Sequence, residues 1–178
     1  MRETRKVAVL IFLFVAALAV AQSHSAMPPI EGQSLAGRKV VLPDAATGNI
    51  AVLIFGFTRA SKTPTSDWAK KLRVDFPSQS ALDVYQVPVL EDVPRLIRGM
   101  VISGIKKGVP ENERHHFVIV VQSEAELKKF VGYKDPDDAY LVLLDRKGNV
   151  VKQLHGRPAS DSYEPLKQAL SSLLEHNS

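Results

Sequence analysis

The chain has 178 residues, 45% of them hydrophobic and 24% charged, with a formal net charge of +4. Its cysteine count of 0 excludes disulfides, thiol–disulfide exchange, thiolate-based peroxide reduction and copper delivery through a cysteine pair. Lys and Arg are not gathered into one basic cluster, so the chain lacks the footprint of a nucleic-acid binder.

The N-terminus reads as an export signal over residues 1–21. Arg2, Arg5 and Lys6 form a positive n-region, Val7 to Val20 is wholly apolar, and Ala19-Val20-Ala21 matches the small-x-small cleavage pattern. An uncleaved membrane anchor is the alternative, because the apolar run approaches the roughly 18 residues of a membrane span. Residues 22–29 read as a flexible lead-in ending in proline, and residues 30–178 as one domain.

Ile30 to Pro43 is glycine-punctuated with a β-branched second arm, which predicts a hairpin. Ile50 to Phe57 is continuously apolar, as for a strand buried on both faces. Thr63 to Phe76 predicts a helix with Ser61 or Thr63 as cap, Pro64 in its first turn, and Trp68, Leu72 and Phe76 on one side. Leu82 to Leu90 is a second strand, and Val93 to Ile105 carries apolar residues at helical spacing before Lys106-Lys107-Gly108. Phe117 to Val121 is a third strand. Ser123-Glu124-Ala125-Glu126 has the form of a capping box and opens a short helix. Tyr140 to Leu144 and Val150 to Leu154 flank a turn at Lys147-Gly148, and Pro165 to Leu174 closes the chain as an amphipathic helix. This order predicts an α/β sandwich in which a mixed β-sheet carries helices on both faces.

Three local motifs resemble the thioredoxin-like superfamily: Gly32-x-x-Leu35-x-Gly37, Phe55-Gly56-Phe57-Thr58, and Leu144-Asp145-x-x-Gly148 with Val150-Val151. The resemblance implies a thioredoxin-like sandwich. Redoxins and copper-chaperone-like relatives carry cysteines just after the Phe-Thr element, where this chain has Ala60, Ser61 and Thr63. Their cis-proline falls at Ala139. Within the superfamily the chain is most similar to the mitochondrial ATP synthase assembly factors that act on the membrane-embedded proton-channel subunit, with redoxin and peroxiredoxin-like relatives next. That similarity rests on Ser66-Asp67-Trp68, Leu72-x-x-x-Phe76-Pro77, Val109-Pro110-Glu111-x-x-Arg114-His115 and Ala139 to Gly148. It implies a non-catalytic assembly or chaperone role with a protein partner, one associated with a membrane.

The expected partner surface is the degenerate turn Arg59, Ala60, Ser61, Lys62, Thr63 and Pro64, with Trp68 behind it and the loop at Asp138 and Ala139 opposite. Such a surface offers unpaired backbone groups beside a shallow groove. For Trp68, a partner contact and a place at the core edge both stay open. Arg59 and Lys62 beside a helix N-terminus give an anion-binding alternative, and a redoxin relative with a degenerate site is the enzymatic one. No cofactor or metal is expected. The adjacent His115 and His116 point apart on any regular element, and Asp135, Asp137 and Asp138 lack the glycine of a calcium loop. His155 precedes Ser160-Asp161 with no nucleophile elbow.

Overall fold

The computed structural model describes residues 27–77 and 81–175; the predicted signal segment lies outside them. Among the described residues seven strands and four α-helices follow in the order β1 (Ile30–Ser34), β2 (Lys39–Leu42), β3 (Ile50–Gly56), α1 (Lys62–Asp75), β4 (Leu82–Pro88), α2 (Arg95–Gly108), β5 (Val118–Ile119), α3 (Glu124–Phe130), β6 (Ala139–Leu144), β7 (Val150–Gly156) and α4 (Ser160–Glu175). Two ladders form, β2-β1-β5 and β4-β3-β6-β7. Parallel bridges Gln86–Phe117 and Val89–Val120 join them through β5 and β4. Pairing is parallel between β3 and β4 and antiparallel between β3 and β6, β6 and β7, β1 and β2, and β1 and β5, so the sheet is mixed.

Strand periodicity sorts the central residues between two cores. Every residue of β3 and β6 is buried, because each side of the sheet is covered. Ala51, Leu53, Phe55, Tyr140, Val142 and Leu144 face one side, where Leu127 of α3 packs. Ile50, Val52, Ile54, Leu141 and Leu143 face the other, against Trp68 and Leu72 of α1 and Tyr163, Leu166 and Leu170 of α4. Each such aliphatic side chain contributes roughly 1.5–3 kcal/mol on leaving water.

Several local expectations are corrected. Met27 is buried in the first core, so the packed chain starts ahead of Ile30 and residues 27–29 are not a loose lead-in. Ser123 adopts φ 59° and makes no capping hydrogen bond. The acceptor at the start of α3 comes from another element: Glu124 N donates to Glu91 Oε2 at 2.6 Å. Glu124 is buried in return, its carboxylate accepting from Asp92 N and pairing with Lys128 Nζ at 2.6 Å. Helix α4 begins at Ser160, placing Pro165 inside it. Helix α2 has no buried residue at all.

Candidate functional site

Strand β3 delivers the chain to the turn that precedes α1. Phe57 is still buried, and Thr58 then organises the turn through its hydroxyl. Thr58 Oγ1 accepts from Ala60 N at 3.1 Å and Ser61 N at 3.2 Å, and donates to the Pro136 carbonyl at 2.6 Å. Ser61 occupies the N-cap of α1 but does not cap it. Its hydroxyl turns back, donating to Thr58 O at 2.9 Å and accepting from Thr58 N at 3.3 Å. A side chain at Gly56 would meet Ser61 Oγ at 2.8 Å, so glycine is what lets this turn fold onto the strand end.

The opposing loop is built around one phenol. Tyr140 Oη accepts from Lys134 N at 2.9 Å and Asp135 N at 2.8 Å, and donates to Asp135 O at 2.9 Å. Its ring is fully buried between Phe57 and Tyr133, at centroid distances of 5.7 and 5.3 Å. On its other side lies His155, 5.6 Å away and nearly parallel, whose Nδ1 is 2.7 Å from Asp138 Oδ2. Lys128 Nζ sits 4.8 Å over the Tyr133 ring, and its pKa is raised chiefly by the hydrogen bond to Glu124.

The structure thus brings together the two segments the sequence nominates, through the bond from Thr58 to Pro136. Arg59, Ala60, Lys62 and Thr63 are exposed, whereas Ser61 and Pro64 are buried. Asp138 is half-buried and Ala139 is inside the sheet. Trp68 does not belong to any contact surface. It is 0% exposed, its indole Nε1 donates to Gly156 O at 2.8 Å, and its ring lies 6.0 Å from that of Tyr163. Ala139, fully buried, is likewise unable to touch a partner with its side chain.

Among the described residues no three metal-ligating side chains converge. His116 lies 3.5 Å from Asp83 and edge-on to Tyr85. That hydrogen bond is the main reason the Asp83 carboxyl sits below the ordinary carboxylate range, while burial pushes the Tyr85 phenol up to about 12. Thr58, the role of the Tyr140 phenol and the pairing of Asp138 with His155 escape a reading of the sequence alone: the partner of Thr58 lies 78 residues away and that of Asp138 17, while the phenol turns back onto a loop whose path spacing does not give. The one available signal is Phe57-Thr58 itself, a polar residue ending an apolar run.

Solved structures with this architecture include the pneumococcal exposed lipoprotein thioredoxin Etrx1 of Streptococcus pneumoniae, at TM-score 0.58 and 16% identity, covering 82% of this chain and 100% of that one. BsSco, a member of the Sco family of cytochrome c oxidase assembly proteins, matches at TM-score 0.57 and 15% identity over 86% and 95%. The thioredoxin domain of a thiol-disulfide oxidoreductase from Bacteroides vulgatus matches at TM-score 0.56 and 19% identity over 82% and 96%.

The fold is thioredoxin-like.

No family model and no curated protein matches the chain, so the likeness is one of architecture. Within it the differences are chemical. The turn where thiolates act in redox members of the fold holds Ala60 and Thr63, which have no group to ionise. Among the described residues the sole cis peptide is Leu42–Pro43, so the bond before Ala139 is trans. What remains is an exposed turn joined to the facing loop by a hydroxyl hydrogen bond.

Proposed function

We propose that this is an exported thioredoxin-like protein that acts without thiol chemistry, binding a protein partner across the Arg59–Thr63 turn and the 134–138 loop. The observation that carries the reading is the Thr58–Pro136 latch in a chain with no cysteine. It keeps the substrate-facing surface of the fold assembled although nothing on that surface performs redox chemistry. Exposed Arg59, Lys62 and Thr63 give this rim polar and cationic groups for recognition. Export is supported by the signal-like sequence of residues 1–21, and the exposed character of Etrx1 is in keeping with it. A role in assembling a membrane-associated complex draws support from the motif resemblance to ATP synthase assembly factors and from the assembly family to which BsSco belongs.

Site-specific photocrosslinking in intact cells tests this. A benzophenone amino acid at Ala60 is expected to yield a discrete adduct with one protein, while the same group at Val74, exposed on the far end of α1, yields none. Absence of an adduct from position 60, or identical adducts from both positions, overturns the reading. The enzymatic alternative, a redoxin relative, makes the opposite forecast. Dithiol or peroxide turnover above background would replace the binding role with catalysis.

A further inference from the structure

We propose that helix α2 is a membrane-surface element that lays its outward face on an anionic lipid interface. The helix is held at its ends rather than by a buried face. At the start, the Arg98 guanidinium donates to the carbonyls of Glu91 and Val93 at 2.9 Å. At the finish, Arg114 donates to the carbonyls of Val109 and Lys106 at 3.2 and 3.5 Å. Between these staples an apolar groove of about 410 Å³ separates Ile102 from Ile119 and Val121.

Positions 96, 100, 103 and 107 share the outward face by helical spacing. Leu96 is 99% exposed and Met100 74%, with Ile97 beside them at 45%. An amphipathic helix that packs on its own core turns such residues inward; here apolar side chains stand on both sides. The outward ones need a covering surface.

Charge selects the occupant. Within 95–108 the helix carries Arg95, Arg98, Lys106 and Lys107 and no carboxylate. A second copy is disfavoured, because pairing two such helices would set cation against cation. Of the acids before the helix, Glu91 binds the α3 N-terminus and Asp92 pairs with Lys128 at 3.8 Å; of those after it, Glu113 pairs with Arg73 at 2.9 Å, which leaves the exposed Glu111 against four cations. Apolar residues flanked by free cations, on a helix roughly 21 Å long, match an anionic membrane interface. There Leu96 and Met100 enter the acyl boundary, and Arg95, Lys106 and Lys107 reach the headgroups. This inference is independent of the partner surface around Thr58.

The absence of native cysteine makes the test direct. Met100→Cys labelled with an environment-sensitive fluorophore, in the full exported chain, reports on this face alone; Leu96→Cys is the second probe, and labelled Val74→Cys the control. Vesicles with about 30% phosphatidylglycerol in phosphatidylcholine are expected to blue-shift the label at 100 or 96 but not at 74. The shift should be absent with phosphatidylcholine alone and reverse at about 0.5 M salt. Replacing Lys106 and Lys107 by Gln should weaken vesicle binding about fivefold each, from roughly 1 kcal/mol per cation. No shift with anionic vesicles overturns the proposal. So does an equal shift with neutral ones, an equal shift at position 74, or a vesicle-independent shift that grows with protein concentration, which would assign the face to a second copy.

Discussion

The hydroxyl of Thr58 donates a 2.6 Å hydrogen bond to the carbonyl of Pro136, 78 residues away, and this contact ties the turn before α1 to the loop before β6. The same oxygen accepts two backbone N–H groups of the turn. Thr58→Val should therefore cost about 0.5–1.5 kcal/mol, the net range of a hydrogen bond whose partners can turn to water. Thr58→Ser should restore most of it. Chemical denaturation measures the loss, and hydrogen exchange should show faster opening at residues 134–138 in the valine variant only. Unchanged exchange there would mean that the contact does not hold the loop.

Trp68 is the only tryptophan, fully buried and bonded to Gly156 O. Trp68→Ala should lose about 3–5 kcal/mol. Trp68→Phe should lose less packing but leave the Gly156 carbonyl without its donor, at about 1–3 kcal/mol. Both are read by urea denaturation. Native tryptophan fluorescence should be blue-shifted and move red on unfolding; a loss under about 0.5 kcal/mol for the alanine variant, typical of surface sites, would contradict the buried position.

The strands were legible because continuous apolar runs at Ile50 to Phe57 and Tyr140 to Leu144 admit few other placements, and the helix after Ser61 because proline and aromatic spacing agree. Legibility failed where distant residues decide the outcome. Ser123 reads as a cap, yet Glu91 from the β4–α2 connection supplies the acceptor. The apolar spacing of Val93 to Ile105 reads as a helix, and one forms over Arg95–Gly108, yet that spacing does not tell that Leu96 and Met100 stand exposed. At the candidate site, the turn was visible as a missing pair of cysteines. Its latch was not, since nothing near Thr58 in sequence names Pro136.

Tyr163 Oη donates to Asp75 Oδ2 at 2.6 Å, tying α4 to the end of α1. This bond is the main cause that lowers the Asp75 carboxyl below its ordinary value, with Lys71 and Lys167 helping. Burial first, and Asp75 second, raise the Tyr163 phenol. A depressed carboxyl stabilises the fold above its unfolded pKa of about 3.9, and that contribution fades as pH falls through the folded value. A raised phenol stabilises below about 10 and fades as pH climbs through its folded value. Tyr163→Phe should lower the unfolding midpoint at neutral pH and flatten both limbs of the stability profile. An acid limb as steep as in the parent chain would show that Asp75 gains nothing from the phenol.

Two introduced thiols would stand where this chain holds none. Ala60 and Thr63 are both exposed, one in the turn and the other in the first turn of α1, at the spacing of a redox pair. Their Cα separation is expected to fall within the roughly 4.4–6.8 Å that a disulfide spans, so Ala60→Cys with Thr63→Cys should form an intramolecular disulfide in air. Once reduced, the thiol at position 60 should titrate below the roughly 8.5 of a free cysteine, because the N-terminal dipole of α1 favours its anion. Turnover of a dithiol substrate should stay low, since the trans bond before Ala139 does not shape the groove as a cis-proline would. Mass spectrometry under non-reducing conditions decides the first step. A pair that stays reduced, or that links only between molecules, would mean that the Thr58-centred turn holds positions 60 and 63 outside disulfide reach.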